Sequence, residues 1–353
     1  METETAWKVR RVVLSVLFLG VVALPLYPEL FGLDEVTPFT QLVAFRPQAL
    51  VFVLLVGLLM LIRPGWRLAA AMVVVLALTG GVLTAPRLLN DPEPPAVGSR
   101  ALTIMVANVL GGGADAGEVA KVIRARRPDV VSLPEAQVDV RQEIQAHLQG
   151  LTYNGYTQQA NAAVESATSV LVAGTLGSVQ FDSEKLDTGR VNVAQPKPGA
   201  GEPGAETIGP VQQTTTQFGH IIITGGNLGK LRLIAYHGYP PLPSSVSIWK
   251  QDLEVVRNWC SQDQPTVVAG DFNATTDHAD FRDAMDPGCR SVATTVGAGL
   301  QGTWPSDRPR IVRTQIDHVV VSDGVTPNSF RTYEIEGTDH RAVIATISVR
   351  KDS

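Results

Sequence analysis

The chain has 353 residues, with 29 Lys and Arg against 34 Asp and Glu, for a net charge of −5. No long basic run follows residue 100. Proteins that grip duplex nucleic acid draw much of their affinity from Lys and Arg neutralising phosphates, so a large nucleic-acid substrate is disfavoured. The two cysteines, Cys260 and Cys289, are too few for a four-cysteine zinc site.

The N-terminal quarter is strongly apolar. Residues 12–27 read VVLSVLFLGVVALPLY, 49–62 read ALVFVLLVGLLMLI, and 68–86 read LAAAMVVVLALTGGVLTAP. About 20 apolar residues are needed to span a bilayer. The third stretch comes close, the first reaches that length if it runs on to Leu33, and the middle one needs Gln48 and Arg63 at the interfaces. A cleaved signal peptide is the alternative for the first stretch. Three stretches in succession, with no small-residue cleavage site after the first, speak against it. The expected spans are about 12–33, 48–63 and 67–86, within an anchor of residues 1–89.

Orientation follows from the basic residues. Lys8, Arg10 and Arg11 precede the first span, and Arg63 and Arg67 sit in the turn after the second; the intervening loop carries Glu29, Asp34 and Glu35, with Arg46 near its end. Positive segments stay cytoplasmic. The N-terminus is therefore expected inside, the multi-pass anchor in the cell membrane, and everything after Pro86 outside. Residues 90–100, which include NDPEPPAVG, read as an extended linker to a domain at 101–353.

In that domain, strands are expected at 101–107, 129–133, 169–174, 220–224, 231–237, 265–272, 316–322 and 342–349. Helices are expected at 116–126, where Pro128 ends the run, at 138–148 and at 245–260, with a short one at 280–285. The Gly- and Pro-rich segment 188–210 reads as a surface loop. Strands alternate with helices and also occur in pairs. That pattern predicts an α/β (α+β) fold in which two mixed sheets pack face to face with helices outside, a four-layer α/β/β/α sandwich.

Acidic, amide and imidazole side chains collect at strand ends. Asn108 follows the first strand and Glu135 the second; His237 ends LRLIAYH, Asp271 and Asn273 follow VVAG, Asp317 opens DHVVVS, and Asp339 and His340 precede the last strand. Sites are commonly grafted onto one rim of a sheet scaffold in this way. Oxygen donors suit magnesium or manganese rather than zinc. Taken alone, Asn108 ahead of three glycines reads first as a turn former, and an isolated strand-end histidine such as His237 is more often structural.

These residues stand in six ordered motifs: MVANV, PDVVSLPEA, AYHGYPP, GDFNAT, IDHVVVS and TDHRAV. GDFN alone is weak evidence; the ordered set resembles the DNase I-like endonuclease/exonuclease/phosphatase superfamily over residues 101–349. The resemblance implies a metal-dependent phosphoester hydrolase holding Mg2+ or Mn2+ through Glu135, with Asn108 and Asp339. It implies that Asp271 orients and deprotonates the attacking water, and that Asn273 hydrogen-bonds water or phosphate. His340 then faces the scissile phosphate with Asp317 fixing its tautomer, and His237 binds phosphate or protonates the leaving oxygen. Pro134 and Thr338 depart from the usual Gln and Ser of the family. Arg313 is a candidate phosphate clamp, with a solvated loop arginine as the plainer reading.

An anchor followed by an outward-facing domain of this kind resembles the bacterial teicoplanin-resistance phosphatases, which implies a membrane lipid phosphate, such as a polyprenyl pyrophosphate or a phospholipid, as substrate. The alternatives are an extracytoplasmic nuclease and a non-enzymatic cell-surface binding module. The lipid bilayer is the expected partner, with no obligate protein partner inferred and nucleic acid disfavoured. In an oxidising compartment Cys260 and Cys289, on segments flanking the GDFN strand, are expected to form a disulfide; two buried thiols are the alternative.

Overall fold

The computed structural model describes residues 2–95, 97–182 and 218–350. The loop expected at 188–210 lies outside the described residues. The N-terminal segment forms α1 (Glu2–Leu26), α2 (Phe39–Val43), α3 (Arg46–Met60), α4 (Arg67–Thr84) and α5 (Pro86–Leu89). Two apolar stretches, Val9–Leu26 and Pro64–Leu89, are long enough to cross a membrane. The middle helix has 15 residues and falls below that length, so helix length picks out two of the three expected spans. The first helix also stops short of the expected residue 33. Pro28 disfavours helical backbone at the residue before it, and Tyr27 turns out at φ −138°.

Among its described residues, the domain that follows contains two six-stranded sheets. One has the order β11-β12-β1-β2-β4-β3, formed by β1 (Ser99–Val106), β2 (Val130–Pro134), β3 (Tyr153–Gln159), β4 (Ala167–Ala173), β11 (Val325–Tyr333) and β12 (Ala342–Arg350). The other has the order β5-β6-β7-β8-β10-β9, formed by β5 (Val179–Asp182), β6 (Ile221–Gly225), β7 (Arg232–His237), β8 (Thr266–Asp271), β9 (Cys289–Ser291) and β10 (Asp317–Ser322). Each sheet is mixed: β1 and β2 are parallel in the first, β7 and β8 in the second, and the other pairs are antiparallel.

Side chains alternate across a strand with period two, and here the alternation sorts them into three cores. Ile104, Val106, Val267, Ala269, Val319, Val321, Val343 and Ala345 fill the space between the sheets. Met105, Val131, Leu133 and Ile344 face outward onto α6 (Ala116–Arg126) and α7 (Val138–Ala146). On the other side Ile234, Val268 and Val320 meet α8 (Val246–Cys260) and α9 (Ala279–Met285). The result is the expected layering of helix, sheet, sheet and helix. Asp115 caps α6 by accepting the Glu118 N–H, and Arg127 closes it with left-handed backbone just before Pro128. A short α10 (Val292–Thr295) completes the helices among the described residues.

Cys260, at the end of α8, and Cys289, at the start of β9, form a disulfide with their Cα atoms 5.4 Å apart. They lie 29 residues apart in sequence, and closing such a loop stabilises by roughly 3–4 kcal/mol in the chain-entropy model. We expect Cys260→Ser/Cys289→Ser protein to unfold at lower denaturant concentration by about that free energy. Denaturant titration of the purified full chain checks this, and an unchanged midpoint would show that the bond contributes no stability.

Candidate active site

Strand register assembles the site. His237 on β7 lies opposite Asp271 on β8, and Asp271 lies opposite Asp317 on β10. One row across three adjacent strands thus carries a histidine and two aspartates. Residues two and four positions along the same strands fill the core between the sheets, so by alternation this row faces inward at its rim. Gly270 permits the close strand approach beside it, since a side chain there would land on the carbonyl oxygen of Tyr236. The facing sheet contributes Asn108, two residues beyond β1, and Glu135, the residue after β2. Asp339 and His340 arrive on the turn before β12.

Glu135 has left-handed backbone, φ +61°, which costs a non-glycine residue on the order of 1–3 kcal/mol. Its N–H donates to the Ala167 carbonyl at 2.9 Å, holding that conformation. Asn273 is also left-handed, φ +48°, a region asparagine tolerates. Its N–H donates to Asp271 Oδ1 at 2.8 Å, and its Nδ2 donates to the Gly238 carbonyl at 3.0 Å.

The predicted residues converge. Asn108 Nδ2 donates to Glu135 Oε1 and to Asp271 Oδ2, both at 3.0 Å, and Asn108 Oδ1 accepts the Leu110 N–H at 2.9 Å. The asparagine therefore bridges the two sheets here, and its oxygen keeps a second lone pair for a cation. His340 Nδ1 lies 2.9 Å from Asp317 Oδ2, while its Nε2 lies 3.8 Å from Asp271 Oδ2 and 3.9 Å from Asp339 Oδ1. His237 Nε2 lies 3.9 Å from Glu135 Oε1 and 4.0 Å from Asp271 Oδ2. The Phe218 ring packs over the His237 imidazole at 4.6 Å between centroids.

Burial and charge separate the titrations. Burial pushes Glu135 up, against its hydrogen bond from Asn108. Burial, reinforced by the neighbouring Asp317 charge, lifts Asp271 to about 7. For His340 burial works to lower the pKa, but the charges of Asp317, Asp271 and Asp339 and the Asp317 hydrogen bond outweigh it and hold the ring at about 10. Burial and the nearby His340 charge take His237 down to about 3. One ring is thus a cation at neutral pH and the other a neutral hydrogen-bonding group.

Some contacts were not evident in the sequence. Trp304 Nε1 donates to Asp339 Oδ2 at 2.8 Å; its only signal is its place in the loop leading to Asp317. Thr338, noted as a departure from Ser, donates from Oγ1 to the Asn108 carbonyl at 2.9 Å and accepts the His340 N–H at 3.1 Å. A serine hydroxyl could make the same two bonds. Arg313, half-buried, is a loop arginine whose guanidinium bonds within its own loop: it donates from Nε to the Arg308 carbonyl and from a guanidinium nitrogen to the Ser306 carbonyl, both at 2.8 Å.

Residues 105–340 match the Endonuclease/Exonuclease/phosphatase family. The chain belongs to this family. It is accordingly a metal-dependent phosphoester hydrolase. No curated protein matches the chain. Among solved structures, a humanized D. rerio TDP2 shares 16% identity over 70% of this chain and 98% of its own, with a TM-score of 0.52. D. rerio TDP2 complexed with a single-strand DNA product shares 18% identity over 70% and 98%, at 0.51. A family member from Bacteroides thetaiotaomicron shares 13% over 71% and 98%, at 0.48.

In this member of the family the N-terminal segment packs on the loops around the site. Gln41 Nε2 donates to the Pro241 carbonyl, four residues past His237. Thr314 Oγ1 donates to the Ala44 carbonyl and Gln48 Nε2 to the Arg313 carbonyl, each at 2.8 Å. Asp277, on the loop after Asn273, accepts two bonds from Arg87 at 2.6 and 2.9 Å and lies 3.7 Å from Arg46, which pairs with Glu29 at 2.6 Å. Beside it, His278 Nε2 lies 3.0 Å from the Thr40 carbonyl while Nδ1 accepts the Thr275 N–H at 2.9 Å.

That bonding requires a neutral His278, and burial lowers it to about 4. Above pH 6.5 the ring is neutral folded or unfolded, so it contributes no pH dependence. Between about 6.5 and 4 the unfolded chain takes up a proton that the fold refuses, so stability falls as pH falls, by roughly 3 kcal/mol in all. Denaturant unfolding of the detergent-solubilised protein from pH 7 to 4 should show a smaller acid loss in His278→Gln. Parallel profiles would refute the assignment.

Proposed function

We propose that the protein is a membrane-anchored, extracytoplasmic phosphoester hydrolase that uses Mg2+ or Mn2+ and acts on a lipid phosphate such as a polyprenyl pyrophosphate or a phospholipid. The observation that carries this reading is the packing of residues 40–48 against the loops that follow His237 and Asn273 and precede Asp317. If residues 28–45 connect two membrane spans, these contacts hold the catalytic rim beside the bilayer surface. A headgroup there is presented at high local concentration.

Three crossings are part of the proposal, dividing the chain into an anchor at 1–89, a linker at 90–100 and a catalytic domain at 101–353. α3 is short, but its outward side chains Val51, Phe52, Leu55 and Leu59 are each at least 55% exposed. Its 15 residues give about 22 Å of helix, which a bilayer can meet by local thinning. The disulfide in the catalytic domain supports an oxidising compartment. A periplasm-active reporter fused after Gly98 is expected to be active and one fused after Pro64 inactive; the opposite pattern would overturn the topology.

For the chemistry, Glu135 and Asp339 are assigned to hold the divalent cation, with Asn108 beside them. The donors fit: Asp339 Oδ1 is buried without a hydrogen-bond partner, and Glu135 is pushed up by burial, as expected of a carboxylate awaiting positive charge. Asp271, Asp317 and His340 also place one ligating atom each within 4.8 Å of one another. His340 Nδ1 is already engaged by Asp317 Oδ2 at 2.9 Å, and we assign that trio to catalysis. A bound cation would supply positive charge to a phosphate oxygen. Asp271, held by the Asn273 N–H, takes the proton of the attacking water. His340, charged and oriented by Asp317, stabilises the negative charge developing on the phosphoryl oxygens. Asn273 binds water or phosphate, and neutral His237 donates a hydrogen bond to the phosphate.

The DNA product bound to D. rerio TDP2 favours a nucleic-acid phosphodiester as a second reading. Purified full-length protein with magnesium, offered a polyprenyl pyrophosphate, a phospholipid, sphingomyelin and single-strand DNA, separates the two. Release of phosphate or headgroup from lipid is expected, abolished by EDTA and by Glu135→Gln and lowered about 10²–10⁴-fold in kcat by Asp271→Asn. Cleavage of DNA alone would overturn the lipid reading. Turnover that survives both EDTA and Glu135→Gln would overturn the metal assignment.

A further inference from the structure

Large apolar side chains are exposed in a restricted pattern on the catalytic domain. Among the described residues beyond 100, they are Leu110, Val164, Leu242, Ile311 and Val312. Single exposed apolar residues are ordinary when scattered. These lie on loops at the rim of the site: Leu110 is two residues past Asn108, Leu242 five past His237, and Val312 five before Asp317. Ile311 is the most exposed of them at 74%.

The loop bearing Ile311 and Val312 has a second property. WPSDRPRIVR, residues 304–313, sets three arginines against one aspartate in a chain whose net charge is −5. Residues 307–312 are all exposed. Among the described residues Arg308 pairs with its neighbour Asp307, at 3.4 Å and with both side chains at least 60% exposed, so its charge faces solvent. The Arg313 guanidinium bonds back to the Ser306 and Arg308 carbonyls, which helps fix the loop's shape. The base of the loop is tied to the start of α3 through Gln48 and to the segment before it through Ala44. Basic and apolar side chains together on a fixed, exposed tip suit the boundary between anionic headgroups and acyl chains.

We propose that residues 307–312 and Leu242 form a docking surface for an anionic bilayer: Ile311 and Val312 enter the acyl boundary while Arg308 and Arg310 meet lipid phosphates, seating the rim of the site on the leaflet. The proposal rests on the extracytoplasmic, membrane-facing reading above, but it does not require that a lipid be the substrate. Its occupant is the bilayer itself, chosen on charge complementarity and on the loop's continuity with the apolar helices.

The test uses the full chain in nanodiscs. Both native cysteines are in the disulfide, so Ile311→Cys offers a single thiol for an environment-sensitive nitrobenzoxadiazole label. Asp323→Cys, at the opposite end of β10 in an exposed turn, is the control. In nanodiscs containing phosphatidylglycerol the label at 311 should emit at shorter wavelength and be quenched at least twofold by lipids spin-labelled near the headgroup, while the label at 323 should not. Pure phosphatidylcholine, or Arg308→Ala/Arg310→Ala in the anionic discs, should reduce the quenching. A label at 311 that stays solvent-like in anionic discs overturns the proposal, whether or not lipid is hydrolysed. Quenching without lipid hydrolysis would leave the docking surface standing and remove the substrate reading.

Discussion

Confining negative charge is the constraint on which the rest of the site depends. Glu135, Asp271, Asp317 and Asp339 converge where two sheets meet, and Asp271 and Asp317 are almost fully buried. Carboxylates removed from water and set side by side resist ionisation, and Asp271 is lifted accordingly. The fold answers with an ordered set of compensations. Asn108 spans Glu135 and Asp271, the Asn273 N–H bonds Asp271, and the His340 ring sits against Asp317. What remains is one imidazolium, His340, set against four carboxyl groups, an arrangement that suits a divalent cation.

The same accounting extends to the junction with the N-terminal helices. Asp277 is buried, and its partners Arg46 and Arg87 come from the entrance of α3 and from α5. A buried carboxylate deprived of its arginines is costly, on the order of 3–5 kcal/mol. This carboxylate sits four residues from Asn273, and His278 next to it bonds to Thr40. The loop that follows Asp271 is thus braced partly by residues of the N-terminal helices.

Much of the fold was legible because buried strands carry their signal in alternation and apolarity. α6 and the strands ending at His237 and Asp271 match the sequence reading closely. β3 and β11 escaped it. YNGYTQQ has no apolar face to read, and β11 contains Pro327 beside a register shift, features that strands tolerate at a sheet edge. The expected site residues could be named because each motif abuts a readable strand. The bridging geometry of Asn108, the left-handed backbone of Glu135 and the indole on Asp339 depend on tertiary placement and leave no local trace. The bonds from Gln41 to Pro241 and from Arg87 to Asp277 join residues 200 and 190 apart, which no pattern along one segment could reveal.

The Arg46–Asp277–Arg87 cluster bears on modularity. A chain with helices at one end and an enzyme at the other invites description as two interchangeable parts, to be cut or recombined at residues 90–100. The cluster contradicts that view. Replacing the helices with those of another protein would strand Asp277, and excising them would uncover the Thr275–His278 turn. In a lineage carrying this cluster, the helices and the GDFNATTDH loop must change in concert. A graft between relatives would have to carry that loop along with the helices to keep its hydrolase intact.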